Sequence, residues 1–318
     1  MAAHRDWIPY RNSRGYEVMC CEGEHVSVAK LKADPGLDNS YLRRTIPPYP
    51  DPVFHISEVC HVTGESGLNG IFRVGGFQKY YQLDDNFLWW SVSVTKDDIA
   101  DAEKNFLEKL FPGGQGHNQQ PFLEKFTTSP AFQSKSRYGN FRFTFPLKTL
   151  LCMYKRQFCH NSSLVLRVLD TEIYKTEIMY SVLVHPGYLN CYSQYPRLPC
   201  HDDKVCGYFQ GDMSWRCQAP SESHRQTLEV DREGCTVHVS SLESEVYNVW
   251  DHVAVAFHME PDWILDVDRD QLYRSVSVCE VTEWNLLREP DRALSKRKAS
   301  KILQDITSEH DLGHLHYY

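Results

Sequence analysis

Residues 53–94 read as strand, small loop, short helix, glycine stop and second strand. The run 53–60 is apolar enough for a buried strand. Leu68, Ile71 and Phe72 share one face of a short helix over 64–72. Gly75-Gly76 ends that helix, because glycine tolerates the left-handed cap. An aromatic strand over 87–94 follows. This is the one segment in which polar side chains, His61 and Thr63, close an apolar strand just before a helix. Helix starts offer free backbone N–H groups, so phosphate-rich ligands are often bound there.

Other elements follow from spacing. Thr95 and Asp98 form a capping-box pair, and Ile99, Ala102, Phe106 and Leu110 recur at helical spacing, which predicts a helix over 97–111 and a flexible loop over 113–121. Phe141, Phe143 and Phe145 alternate with Arg142 and Thr144 as a half-buried strand. Pro146 opens a helix carrying Leu147, Leu150, Leu151, Tyr154 and Phe158. Strands are expected over 164–169 and 178–185, with a polar separator over 170–177. Residues 186–227 look irregular. Strands resume over 236–239, 246–250, 252–258 and 274–281, and a polar helix over 292–306 carries the basic run Lys296-Arg297-Lys298. Near the start, short strands are expected over 16–19 and 25–30. The Pro-rich run 46–52 is a stiff connector, since proline neither donates to a ladder nor continues a helix.

The expected fold class is α+β: mixed, mostly antiparallel strands with short helices, then a β-rich part and a terminal helix. The expected organisation is an irregular lead-in over 1–52 with its Pro-rich connector, a core domain over 53–185, a β-rich, Cys-containing region over 186–290 packed on it or continuous with it, and a helical tail over 291–318. The 13% aromatic content suits strands, whose pleated faces pack such side chains well.

Net charge of −8 gives no general basic field, so a dedicated nucleic-acid binder is not suggested. The start lacks an apolar signal region and no window has the roughly 18 apolar residues of a membrane span. The expectation is an intracellular protein, cytoplasmic or nuclear, whose 11 cysteines are mostly thiols.

The order His61-x-Thr63, Gly-Leu-x-Gly-Ile, Gly-Phe, then Trp89-Trp90-Ser91 resembles the opening of the ADP-ribosyltransferase superfamily, which includes the poly-ADP-ribose polymerases and the tRNA 2′-phosphotransferases. The resemblance covers about 53–185. It implies that His61 holds the ribose of NAD with Thr63 nearby, and that Trp90 and Ser91 belong to the nicotinamide pocket. Glu177, just before an apolar strand, is the positional match for the family's catalytic glutamate; His55 and Glu172 are rivals. The sequence departs from the family in its Trp pair, where one branch has Tyr and another Ser-Thr-Ser. Aromatic walls are available from Tyr80, Tyr81, Trp89 and Trp90. The ligand would then be NAD or another phosphate-containing molecule, and the activity low or lost.

Two other readings stand beside it. A non-catalytic interaction protein would use its Tyr- and Trp-rich surface to hold a protein partner. A zinc-stabilised domain would draw on Cys191, Cys200, Cys206 and Cys217, with His201 and His224, although no C-x2-C pair is present. Asp266-x-Asp268-x-Asp270 lacks the glycine and the distal glutamate of a calcium loop and reads as a solvated acidic turn. His252 and His258 lie an even number apart on one strand and so face one side.

Overall fold

The computed structural model describes residues 6–11, 16–79, 86–113, 119–133, 135–200, 204–209, 212–281 and 293–314. In chain order the elements are β1 (Ile8–Arg11), β2 (Glu17–Glu22), α1 (Val28–Ala33), β3 (Val53–Ile56), β4 (Glu58–Thr63), α2 (Glu65–Val74), β5 (Gly76–Phe77), β6 (Phe87–Ser93) and α3 (Lys96–Leu110). There follow β7 (Phe141–Pro146), α4 (Leu147–Phe158), β8 (Leu164–Tyr174), β9 (Glu177–Pro186), β10 (Cys206–Phe209), β11 (Asp212–Arg216), β12 (Ser223–Asp231) and β13 (Thr236–Tyr247). The last are β14 (Trp250–His258), β15 (Leu265–Asp266), α5 (Arg269–Ser275), β16 (Val276–Val278) and α6 (Lys296–His314).

The fold is α+β. Among the described residues nine strands form one sheet in the order β1-β2-β8-β9-β14-β6-β4-β7-β16. Every neighbouring pair in it is antiparallel except β9 and β14, which run parallel with Glu177 opposite Trp250. A three-stranded sheet (β10-β11-β3) and two ribbons, β12-β13 and β15-β5, complete the set.

Alternation decides what each face carries. On one face Phe141, Phe143 and Phe145 of β7 are buried with Trp90 of β6 and Phe257 of β14, against Leu150, Leu151 and Tyr154 of α4. Tyr154 Oη donates to the His258 carbonyl at 2.7 Å, fixing α4 to β14. The helices end as their sequences dictate. Thr95 and Asp98 form the reciprocal capping box of α3. Gly75 sits at φ +76°, and its N–H closes α2 on the Ile71 carbonyl at 2.9 Å.

Several expectations are corrected. The single strand over 53–60 is two strands in different sheets, broken at Ser57, whose carbonyl accepts from Leu147 N and whose hydroxyl donates to Asp98. Residues 25–30 start helix α1 instead of a strand, because the Ser27 hydroxyl accepts from Lys30 N and caps it. The polar separator over 170–177 is mostly strand: β8 continues to Tyr174, and Lys175, at φ +50°, makes the tight turn into β9. The segment 186–227 holds β10, β11 and the start of β12. Residues 236–247 form one strand, and Asp268 caps α5 by accepting from Gln271 N. The lead-in is also part of the main structure, since β2 pairs with β8 and Val26, Leu31 and Leu42 are buried in the common core. Likewise β14, from the expected C-terminal region, stands inside the sheet between β9 and β6, so residues 53–185 do not close a sheet alone.

Candidate functional site

The face of the sheet opposite the phenylalanines carries a cleft of about 320 Å³, at the low end of ligand pockets (roughly 300–1,000 Å³). Its floor is built from strand ends. Glu177 opens β9 directly after the Lys175-Thr176 turn, and Trp250 opens β14 beside it, anchored by Trp250 N donating to the Thr176 carbonyl at 2.8 Å. Ser91 of β6 lies opposite both Cys60 of β4 and Ala254 of β14, which sets its side chain on the cleft face. Residues 130–133 and 135–138 also line the cleft and bring in Arg137.

Glu177 is the centre of the site. Its side chain is 8% exposed and has two cationic or proton-donating partners. Arg137 Nη1 lies 2.5 Å from Oε2, and His252 Nε2 lies 3.0 Å from Oε1. Arg137 also lies over the Trp250 ring, 5.0 Å from its centroid, and Trp250 stacks on His252 at 4.9 Å. The four side chains therefore hold one another in a closed set. Glu222 stands nearby; burial raises its carboxyl above the ordinary carboxylate range, with the Arg137 charge opposing and the Glu177 charge adding.

Among the described residues lining the cleft, Lys96, Lys135, Arg137 and Arg142 face a single carboxylate, Glu177. Arg142 is held by donating to the Gln133 carbonyl at 3.2 Å. Trp250, Tyr138 and Phe132 supply aromatic surface. The chemistry on offer is anion binding, stacking on a ring, and proton exchange at the Glu177–His252 pair.

The residues singled out from sequence divide sharply. Ser91 and Glu177 share this cleft. His61 does not: it is opposite Phe143 in the β4–β7 register and therefore on the other face of the sheet. Its Nδ1 lies 3.0 Å from the Trp89 carbonyl, its ring meets Phe77 and Trp90, and burial lowers its pKa. Trp90 is 1% exposed in the aromatic core and forms no wall of the cleft. Alternation is the reason, since the neighbours Cys60, Val62 and Ser91 take the cleft side. Thr63 ends β4 at the turn into α2, away from the cleft lining. His55 is on β3 opposite Ser214, and Glu172, opposite Met179 of β9, pairs with the Tyr10 hydroxyl and is not among the cleft-lining residues. Tyr80, Tyr81 and His201 lie outside the described residues.

The cysteine candidates are dispersed in kind. Cys191 and Cys200 are exposed, while Cys206 and Cys217 are buried. The Cys217 thiol donates to Asp251 Oδ1 at 3.2 Å, and burial pushes that thiol well above its ordinary range. His224 packs against Tyr49 and Phe126. Among the described residues no three His, Cys, Asp or Glu side chains converge as a metal ion requires.

Arg137 and Arg142 are cleft-lining residues that sequence reasoning missed. Arg137 lies in an irregular stretch with no periodicity, and its pairing partner is 40 positions away. The one usable signal is Gly139, whose φ of +148° marks a backbone turn next to the wall. No helix among the described residues is long and apolar enough to cross a membrane. No protein-family model, curated protein or solved structure matches the chain.

Proposed function

We propose that this cleft binds a phosphate-bearing ligand of nucleotide type, and that Glu177 and His252 form its acid–base pair. The observation that carries the reading is the buried Glu177 carboxylate, clamped between Arg137 and His252 in a cleft whose other charged lining residues are cations. Arginine suits phosphate because its planar fork can make two parallel hydrogen bonds. Trp250 and Tyr138 offer faces on which a base or nicotinamide ring can rest.

ADP-ribosyl transfer is the reaction we favour within that class, because Ser91 and Glu177 lie in one cleft. The residues present fit one half of NAD: cations for a phosphate, a carboxylate for a ribose hydroxyl and a ring for the base. NAD when bound supplies a glycosidic bond whose cleavage develops positive charge at the ribose. Glu177 would stabilise that charge and His252 would orient Glu177. His61 has no part in this version. The test is calorimetric titration of the protein with inorganic phosphate, AMP and NAD, followed by incubation with labelled NAD. Binding of AMP or NAD that is lost in E177Q or R137M supports the reading. Failure of all three ligands to bind sinks it, and binding without label transfer restricts it to a binding protein.

A protein-interaction role is the second reading. It draws support from the edge strand β1, where Ile8 is 50% and Tyr10 37% exposed on the outer row of the main sheet. Open edges accept another strand readily. Recovery of a partner that is released by charged substitutions at Ile8 and Tyr10, with no nucleotide binding, would favour it.

A further inference from the structure

The two histidines of β14 sit at opposite ends of the strand, about 20 Å apart at the usual rise. His252 belongs to the cleft described above. His258 belongs to a second constellation that the cleft does not use. Tyr192 Oη lies 2.6 Å from His258 Nδ1, and His258 Nε2 lies 3.0 Å from Glu260 Oε1. An ionised carboxylate can only accept, so Nε2 carries the proton that faces Glu260. Nδ1 is then an acceptor, and the Tyr192 hydroxyl donates to it. This is the order nucleophile, base, orienting carboxylate, with both links at hydrogen-bond distance.

The surroundings hold the arrangement rigid. Tyr192 ends the short 3-10 turn Asn190–Tyr192. Its ring packs in an apolar group with Leu183, Ala256, Phe87 and Trp89, and meets the His258 ring edge-on at 5.4 Å. The side chain of His258 is 4% exposed, whereas that of Glu260 is 44% exposed and Tyr192 is half-buried. The base is thus enclosed, and the Tyr192 side chain that reaches it is only partly covered. Burial lowers the His258 pKa, with Glu260 opposing, which favours the neutral, proton-accepting ring.

The local charge favours an anion. Arg167 donates from Nε to His185 Nε2 at 2.9 Å and from Nη1 to the Tyr195 carbonyl at 2.5 Å, while the His185 ring lies 5.1 Å from that of Tyr192. Arg197 adds its charge near His185, and Lys79 adds its charge near His258. Cationic charge thus bears on both histidines whose rings meet Tyr192, His185 and His258, against Glu260.

We infer that Tyr192, with His258 as base and Glu260 as the orienting group, is a second reactive centre that accepts a phosphoryl group from an anionic phosphoryl donor. Tyr192 Oη attacks phosphorus and the new O–P bond forms. The P–O bond to the donor's leaving group breaks, and that group departs with the electron pair. The phenol proton passes to His258 Nδ1.

The experiment incubates the full chain with acetyl phosphate, for which acetate is the leaving group, and locates phosphate by peptide mass spectrometry. Phosphate is expected on Tyr192 well ahead of the more exposed Tyr138, Tyr188 and Tyr247. Y192F should abolish that signal. H258N should slow it about 100-fold, the scale of a lost general base. E260Q, at a partly exposed position, should slow it less while leaving the melting temperature near that of the parent. If H258N fails to fold, the E260Q rate decides. Tyr192 labelling no faster than the exposed tyrosines, or labelling unchanged in E260Q and in any folded H258N, overturns the inference.

Discussion

His252 Nε2 lies 3.0 Å from Glu177 Oε1, joining two strands whose residues are 75 positions apart in the chain. With Arg137 on the other oxygen, the Glu177 carboxylate is buried only because it is paired on both sides. Removing Arg137 takes the guanidinium from that desolvated charge and leaves His252 on its other oxygen. R137M is therefore expected to destabilise the fold by about 3 kcal/mol. The double variant R137M/E177Q should recover part of that loss, because both charges then go together. Urea unfolding of the parent, R137M, E177Q and the double variant checks this, and additive losses would show that the pair is not coupled.

The same arginine should matter to ligand binding in a way that lysine cannot repair. The guanidinium is planar, forks to two acceptors and lies over Trp250. R137K should keep the fold but weaken AMP binding about tenfold, the scale of one charged hydrogen bond. Wild-type Trp250 fluorescence should change on titration with AMP, and a flat response would count against Arg137 as the anion contact.

Gly139 governs where the wall carrying Arg137 can sit. A Cβ there would come 2.2 Å from the Thr63 carbonyl oxygen and 2.5 Å from Gly64 N, both backbone atoms that cannot swing away. Its φ of +148° adds strain for any other residue. G139A should destabilise the chain by about 2 kcal/mol or more and reduce cleft binding in the same protein. Retained affinity in a folded G139A would separate the wall from the site.

The capping box at Thr95 and Asp98 ties helix α3 to the cleft rim. Asp98 Oδ2 accepts from Thr95 N at 2.7 Å, from Thr95 Oγ1 at 2.8 Å and from Ser57 Oγ at 3.0 Å. T95A should cost about 1 kcal/mol in denaturant unfolding. D98A should cost more, since it also releases the hydroxyl that separates β3 from β4.

Asp170 predicts a pH effect of unusual sign. Burial, reinforced by the charge of Glu172, raises its carboxyl from 3.8 to about 8, and its Oδ1 has no hydrogen-bond partner. The folded chain thus holds this proton more tightly than the unfolded one. Its contribution is complete below about pH 4 and is lost as the pH rises to about 8, by at most ~1.4 kcal/mol per pH unit. His25, His185 and His224, each lowered to about 4 by burial, act oppositely: their contribution is full above pH 6.5 and lost as the pH falls towards 4. D170N should therefore gain stability over the parent at pH 8 and none at pH 4. An equal gain at both would assign the effect to packing.

Local chemistry was readable from the chain where a single short signal settles it. The box at Thr95, the left-handed stop at Gly75 and the alternation of Phe141, Phe143 and Phe145 all act within a few residues. The site was half readable for a related reason. Ser91 and Glu177 were reached by their order along the chain, yet His61 and Trp90 fell on the other face, which is a matter of pleat and register. Asp170 and Glu172 concealed a strand, because carboxylates at buried positions contradict the usual pattern. Arg137 carried no periodic mark at all. Its role arises only when the segment 130–138 is folded over the starts of β9 and β14.

The placement of β14 has a consequence in time. Its two flanking partners, β9 and β6, lie far earlier in the chain and are joined in the sheet through it. During synthesis both must wait with unpaired edges until residues 250–258 have left the ribosome. A strand made well after both of its partners therefore supplies the keystone, and the growing protein passes through a long interval in which a chaperone, or a neighbouring chain, can claim the gap first.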